Sequence, residues 1–357
     1  MWVNEVESDL ENYRAAMEWG LREKHDVALG AAIAGSLERL WSVGGLSAEA
    51  RFWIETALEQ LIESEHSSIA ARLYLAKARF LQGQPMRECA QRAFVLYKSL
   101  GDRRGAGYAL RSLAYSLLQM GEVDEANNAI AEAISQLRDL GDKAGVASCL
   151  GLQGVNAYTR GNFAMGRAFY SQALEAYREL KDELSAANVL GNLAELEFAD
   201  GNPEEALRLV SESLAITSRG REATELAIDL NNMAAYSIAV GDLEQARISV
   251  EQALRSAQPD QNAWNIAVAL QHCALLVALH GETECAARLL GYVDAQYRDL
   301  ALQREATEKW GYQKLMTELR EKAGDAELQS LCAEGATWTE ERAVHEALAF
   351  SRFPLGR

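Results

Sequence analysis

Proline is nearly missing from this sequence. Four occur in 357 residues, and Pro85, Pro203 and Pro259 are those inside the region that repeats. An interior proline costs a helix about 3 kcal/mol, so its scarcity leaves room for long helices. Cysteine is also sparse. Cys89, Cys149, Cys273, Cys285 and Cys332 are odd in number, far apart, and set among alanine and leucine. That excludes a disulfide framework and is the pattern of small core residues in a reduced, cytoplasmic protein. No apolar run reaches the roughly 18 residues of a membrane span. No charged-then-apolar leader opens the chain. Positive charge is in deficit, with 52 acidic against 35 basic residues and a net charge of −17. Such a surface repels phosphate backbones, so direct nucleic-acid binding is not expected. The charge serves solubility, or an acidic groove for a basic partner.

Recognisable chemistry is absent too. The sequence has no phosphate-binding Gly-x-x-x-x-Gly-Lys-Ser/Thr loop, nucleophile elbow, zinc-protease helix, dinucleotide fingerprint or Cys-x-x-Cys. Gly101-Asp102-Arg103-Arg104-Gly105 lacks the strand and lysine of a phosphate loop and reads as a turn. His272, Cys273, His280 and Cys285 form the one mixed histidine and cysteine cluster. Adjacent residues on a helix point apart, whereas two ligands on one face need a spacing of three or four. Cys273 therefore reads as core, and no metal, cofactor or catalytic residue is expected.

What the sequence does have is a period. Gly121, Gly161, Gly201, Gly241 and Gly281 each follow the last by 40 residues, and Gly83 precedes Gly121 by 38. Such self-similarity decides the fold before anything else is read. Five positions after the glycine stand Ala126, Gly166, Ala206, Ala246 and Ala286; seven before it stand Ala114, Gly154, Ala194, Ala234 and Ala274. Twelve after it come Ala133, Ala173, Ser213 and Ala253, and eleven before it Leu110, Leu150, Leu190, Leu230 and Leu270.

The pattern is a helix hairpin. Leu190, Leu193, Ala194 and Phe198 have helical spacing. The glycine ends that helix in the left-handed conformation, which it reaches without a Cβ penalty. Pro203 then fits a first helical turn, and Glu204 and Glu205 suit its positive end. A second punctuation closes each unit, as in Leu100-Gly101-Asp102, Leu140-Gly141-Asp142 and Leu180-Lys181-Asp182. The small residues let the paired helices cross closely. This arrangement resembles the tetratricopeptide repeat, whose usual length is about 34 residues; HEAT and armadillo repeats, at about 40–47, are the alternative. The fold expected is an all-α, right-handed solenoid of hairpins over residues 67–298.

Residues 1–66 and 299–357 do not follow the period and are expected to be helical caps, which solenoids need to cover their terminal apolar faces. Ser8 and Glu11 have capping-box spacing ahead of a helix carrying Leu10, Tyr13, Met17 and Leu21. A second helix is expected over Val27–Trp41, broken by Gly44-Gly45, and a third capped by Ser47. Trp310, Leu315, Leu319, Leu328, Leu331 and Trp338 are expected to close the last repeat.

These ends carry a second resemblance. Glu7–Trp19 and Gly45–Leu58 look like the segments opening the helical C-terminal region of bacterial signal-transduction ATPases. Ala286–Gly291 and Trp338–Val344 look like its closing segments. That family includes LuxR-type and maltose-activator (MalT)-like transcription regulators. The resemblance implies a sensor region, either cut from a longer protein or standing alone. The departure is that this chain lacks both the phosphate-binding loop and a DNA-reading helix with a basic face.

What remains is a surface. The tetratricopeptide resemblance puts the first helix of each hairpin on a concave groove. Its inward positions would be Tyr108, Arg111 and Tyr115; then Ser148, Val155 and Tyr158; then Asn188, Glu195 and Phe198; then Asn231. Aromatics with asparagine and arginine suit recognition of an extended peptide backbone. The expected function is non-catalytic: a protein or peptide partner bound in the groove, regulating an attached output. The alternative is a small-molecule effector enclosed by the superhelix.

Overall fold

The computed structural model describes residues 9–43, 46–219, 223–257, 263–300 and 303–350. Helices account for the regular structure, and no strand occurs among the described residues. Internal packing divides the chain into two compact units, Met1–Asp182 and Glu183–Arg357.

The first unit opens with α1 (Leu10–Met17), which runs into a π-helical turn over Glu18–Arg22, followed by α2 (Val27–Ser36), α3 (Glu38–Val43) and α4 (Ser47–Gln60). Met17, Leu21, Trp41, Trp53 and Ile54 form their common core, which continues into Leu73 and Ala76 of the first hairpin. The Arg14 guanidinium clamps the Glu49 carboxylate with two bonds of 2.7 and 2.6 Å. Two expectations need correction. The helix foreseen over Val27–Trp41 breaks at Leu37, whose backbone leaves the helical path at φ −88° and ψ 7°. Ser47 lies inside α4 and makes no cap hydrogen bond; Leu46 holds the cap position. Ser8 and Gly44-Gly45 lie outside the described residues.

Three hairpins complete this unit: α5 (Ser67–Arg79) with α6 (Gly83–Ser99), α7 (Arg103–Gln119) with α8 (Val123–Asp139), and α9 (Lys143–Thr159) with α10 (Phe163–Leu180). The second unit has three more: α11 (Glu183–Ala199) with α12 (Pro203–Thr217), α13 (Ala223–Val240) with α14 (Leu243–Ala257), and α15 (Ala263–Leu279) with α16 (Thr283–Asp299). It ends in α17 (Ala306–Lys322), α18 (Asp325–Gly335) and α19 (Glu340–Phe350).

The periodic glycines do what the sequence predicts. At Gly121, φ is +78°, its N–H donates to the Leu118 carbonyl (3.1 Å), and the Glu122 N–H donates to the Leu117 carbonyl (2.9 Å). This is the paired bonding of a left-handed helix stop, and it satisfies carbonyls the helix end would orphan. Lys181 makes the same stop without being glycine, at φ +56°. Asp102 and Asp142 then start the next helices, each accepting the N–H three residues on at 2.9 Å.

The small-residue positions are helix crossings. Ala126, Ala206, Ala246 and Ala286 are fully buried, as are Ala114, Ala194, Ala234 and Ala274. Where the pattern has Gly154, the buried Tyr170 ring occupies the space a Cβ would need. Within each unit the first helices of successive hairpins touch: α5 with α7, α7 with α9, α11 with α13, and α13 with α15. The second helices show no comparable mutual contact among the described residues. The first helices therefore line the inner side of each unit.

In the tail, Leu315, Leu319, Leu328 and Trp338 join the core of the last hairpin, with Trp310 and Leu331 packed against it. α18 lies on α16 so closely that a Cβ at Gly335 would fall on the Arg288 carbonyl, and one at Gly291 on the Cys332 carbonyl. α19 packs on α15 and α16. α17, however, crosses to α15, α13 and α11.

Candidate functional site

The residues expected on the inner face of the first unit are Tyr108, Arg111 and Tyr115, on α7, and Ser148, Val155 and Tyr158, on α9. Tyr115 is exposed, at 42%. Tyr108 is half-buried. Its hydroxyl points at the Asp142 carboxylate (3.3 Å), which also pairs with Arg104 (3.2 Å) and caps α9. Burial beside Asp142 pushes the Tyr108 hydroxyl up to about 12, so it stays a donor. Tyr108 thus ties one hairpin to the next. Arg111 is half-buried, and its Nε has no hydrogen-bond partner. Its charge works against the burial that raises the Glu38, Cys149 and Tyr177 pKa values. Tyr158 packs against Phe163 with ring centroids 6.2 Å apart.

In the second unit the corresponding face is largely engaged by the chain itself. Phe198 stacks against Tyr236 (4.7 Å) and meets the Trp310 ring edge-on at 5.1 Å. Asn231 is buried, and its Nδ2 donates to the Asn265 carbonyl (3.2 Å). Glu195 is half-buried and adds negative charge beside Glu308. Asn188 is exposed and accepts from Asn192 (3.4 Å).

Sequence reading did not foresee the polar groups that hold α17 here. Gln271 is buried; its Nε2 donates to the Glu308 carbonyl (2.8 Å), and its Oε1 accepts from Arg304 (2.6 Å). The Arg304 guanidinium lies between the Tyr297 and Tyr312 rings, at 4.3 and 4.1 Å, and pairs with Asp294 at 2.5 Å. Burial, then the nearby Glu305 and Glu195 charges, push the Glu308 carboxyl up to about 8, while the Glu305 N–H it accepts pulls the other way. His272 is buried with neither ring nitrogen hydrogen-bonded, and burial pushes it down to about 4. Asp229 is braced by the Ser213 and Thr217 hydroxyls (2.7 and 3.0 Å), yet burial still pushes it up to about 7. The one signal for this brace was Ser213, standing where other repeats have alanine.

Among the described residues, no cluster of three or more His, Cys, Asp or Glu is placed to hold a metal ion. None of their helices is long and apolar enough to cross a membrane. Stacked hairpins, left-handed glycine stops and buried small residues at each crossing define a tetratricopeptide-like helical repeat protein. The tetratricopeptide repeat family matches residues 185–258. One similar solved structure is a Signal Transduction ATPase with Numerous Domains protein, with a tetratricopeptide repeat sensor, from Pyrococcus horikoshii. It is 16% identical with a TM-score of 0.56, and the match covers 96% of this chain and 54% of that one. This chain therefore spans about half of that protein. Another is a Rap protein complexed with Competence and Sporulation Factor, 12% identical with a TM-score of 0.50, covering 85% of this chain and 99% of that one. No curated protein sequence matches the chain. At these identities the likeness is one of fold.

Proposed function

We propose that the chain is a non-catalytic interaction and sensor module, and that the inner face of the first unit receives an extended segment of a protein partner. Tyr115 supplies an exposed aromatic anchor and Arg111 a half-buried cation, both on α7 of the hairpin stack. That pairing carries the reading, because aromatic and arginine side chains dominate interface energetics. Tyr108 and Tyr158 flank them. Asn188 is available on the second unit's face, whereas Glu195, Phe198 and Asn231 face groups of their own unit. The regulatory region of a bacterial signalling ATPase or transcription regulator is the setting that the resemblance of the chain ends favours. The fold shared with a sensor-bearing ATPase supports it.

A second reading has the same face hold a small anionic effector on the half-buried Arg111. Native mass spectrometry of gently isolated chain separates the two, since an effector would add a few hundred daltons and a protein far more. The test of the first reading is a titration of the co-purified partner against wild type and three variants. Tyr115→Ala and Arg111→Ala should each weaken binding about tenfold or more. Met165→Ala, exposed on a second helix, should not change it. Unchanged affinity in both face variants would defeat the reading. So would a loss that tracks a stability change of several kcal/mol.

A further inference from the structure

α17 covers more than the last hairpin. It packs on α15 and reaches α13 and α11, crossing the first helices of three hairpins. Trp310 meets the aromatic notch of Phe198 and Tyr236. Leu315 and Leu319 are fully buried. Near its two ends the helix is met by bonds through backbone carbonyls: Gln271 Nε2 to the Glu308 carbonyl, and Lys322 Nζ to the Ala278 carbonyl, both 2.8 Å. Leu315 and Leu319 lie one turn apart on one face with Trp310 on the flank, and a helix held in a groove by apolar contacts is a recurring recognition mode. Here the occupant belongs to the same chain.

The contact also buries polar groups that lack a hydrogen-bond partner or lie near like charge. The Glu308 carboxyl lies near Glu195 and Glu305. Neither the His272 nitrogens nor the Thr307 hydroxyl has a hydrogen-bond partner. Burying such groups costs free energy, so α17 is held less firmly than its apolar anchors alone would hold it.

We propose that the inner face of the second unit is a helix-binding groove kept occupied by α17, and that an amphipathic helix from a partner displaces it. That helix would carry an aromatic residue and two apolar residues in the positions of Trp310, Leu315 and Leu319. The proposal concerns this face alone, and failure of binding at the first unit's face would leave it standing.

Two measurements on the full chain test it. In hydrogen exchange at neutral pH, the amides of α17 should open at least about 30-fold more often than those of α15, because displacement requires a low-cost local opening. In fluorescence anisotropy, a fluorescein-labelled peptide of residues 303–324 should bind Trp310→Ala about tenfold more tightly than wild type. It should bind Glu308→Gln about tenfold less tightly, since a better-held resident helix leaves fewer vacant grooves. The exchange measurement on wild type and Glu308→Gln decides the matter even where Trp310→Ala folds poorly. Exchange of α17 in step with α15, or peptide affinities that do not move in opposite directions, would show that α17 is an integral wall.

Discussion

Glu308→Gln should stabilise the protein, and by more as the pH rises. The Glu308 carboxyl is buried in the folded chain, where its pKa is pushed from 4.5 to about 8. The folded state therefore holds a proton that the unfolded state releases. The protonated contact is fully favourable below about pH 4.5, and its contribution is lost as pH rises toward about 8. One proton of difference corresponds to about 1.4 kcal/mol per pH unit. From pH 5 to pH 7.5 the ceiling is roughly 3 kcal/mol, and relaxation around the carboxylate lowers it, so about 1.5–3 kcal/mol is expected. Glutamine keeps the shape and cannot ionise. Urea unfolding followed by circular dichroism at pH 5, 6.25 and 7.5 measures the difference between variant and wild type. Asp229 and His272 also titrate abnormally, but both are present in each protein and cancel in that difference. Parallel stability curves for the two proteins would refute the reasoning.

Ala206→Leu places a larger side chain at a fully buried crossing of α11 and α12 and should cost about 1–3 kcal/mol in urea unfolding. Arg208→Leu, on the exposed side and paired with Glu205, should change stability by no more than about 0.5 kcal/mol. Equal effects would mean that the repeat register is wrong. Lys181→Gly should stabilise by about 0.5 kcal/mol, because relief of the left-handed backbone outweighs the added chain entropy of glycine; a measured loss would assign the lysine side chain a role of its own. Gly335→Ala should cost at least about 2 kcal/mol and lower the melting temperature, since its Cβ would collide with the Arg288 carbonyl. A neutral result would mean that α18 can move off α16.

The repeat was legible because its determinants are local. A left-handed stop needs glycine, and a close crossing needs a small residue, so both leave marks at fixed spacing. Lys181 shows the limit of that code: the left-handed stop forms there, with its paired backbone bonds, without a glycine. The break at Leu37 was not legible, since neither glycine nor proline stands at Ser36, Leu37 or Glu38 to mark it. The residues expected on a groove have different surroundings in the two units. Tyr115 stands exposed on its helix as the register implies. Phe198 stands where Tyr158 does in its repeat, and Asn231 where Arg111 does, yet they meet Trp310 and Asn265. Spacing along α17 marks Gly311, Leu315 and Leu319 as a buried stripe, with Trp310 on its flank. Which surface buries that stripe is a long-range choice that no local pattern encodes.

Photo-cross-linking at two sites tests the central claim most directly. A benzoylphenylalanine is placed at residue 115 or at residue 198 of the full chain, irradiated in cells of the source, and the adducts are mapped by mass spectrometry. The account predicts an intramolecular adduct from position 198 to the α17 peptide containing Trp310, and an adduct with a second protein from position 115. It is contradicted if position 115 captures nothing while the same probe at residue 165 captures a partner, or if position 198 never reaches α17.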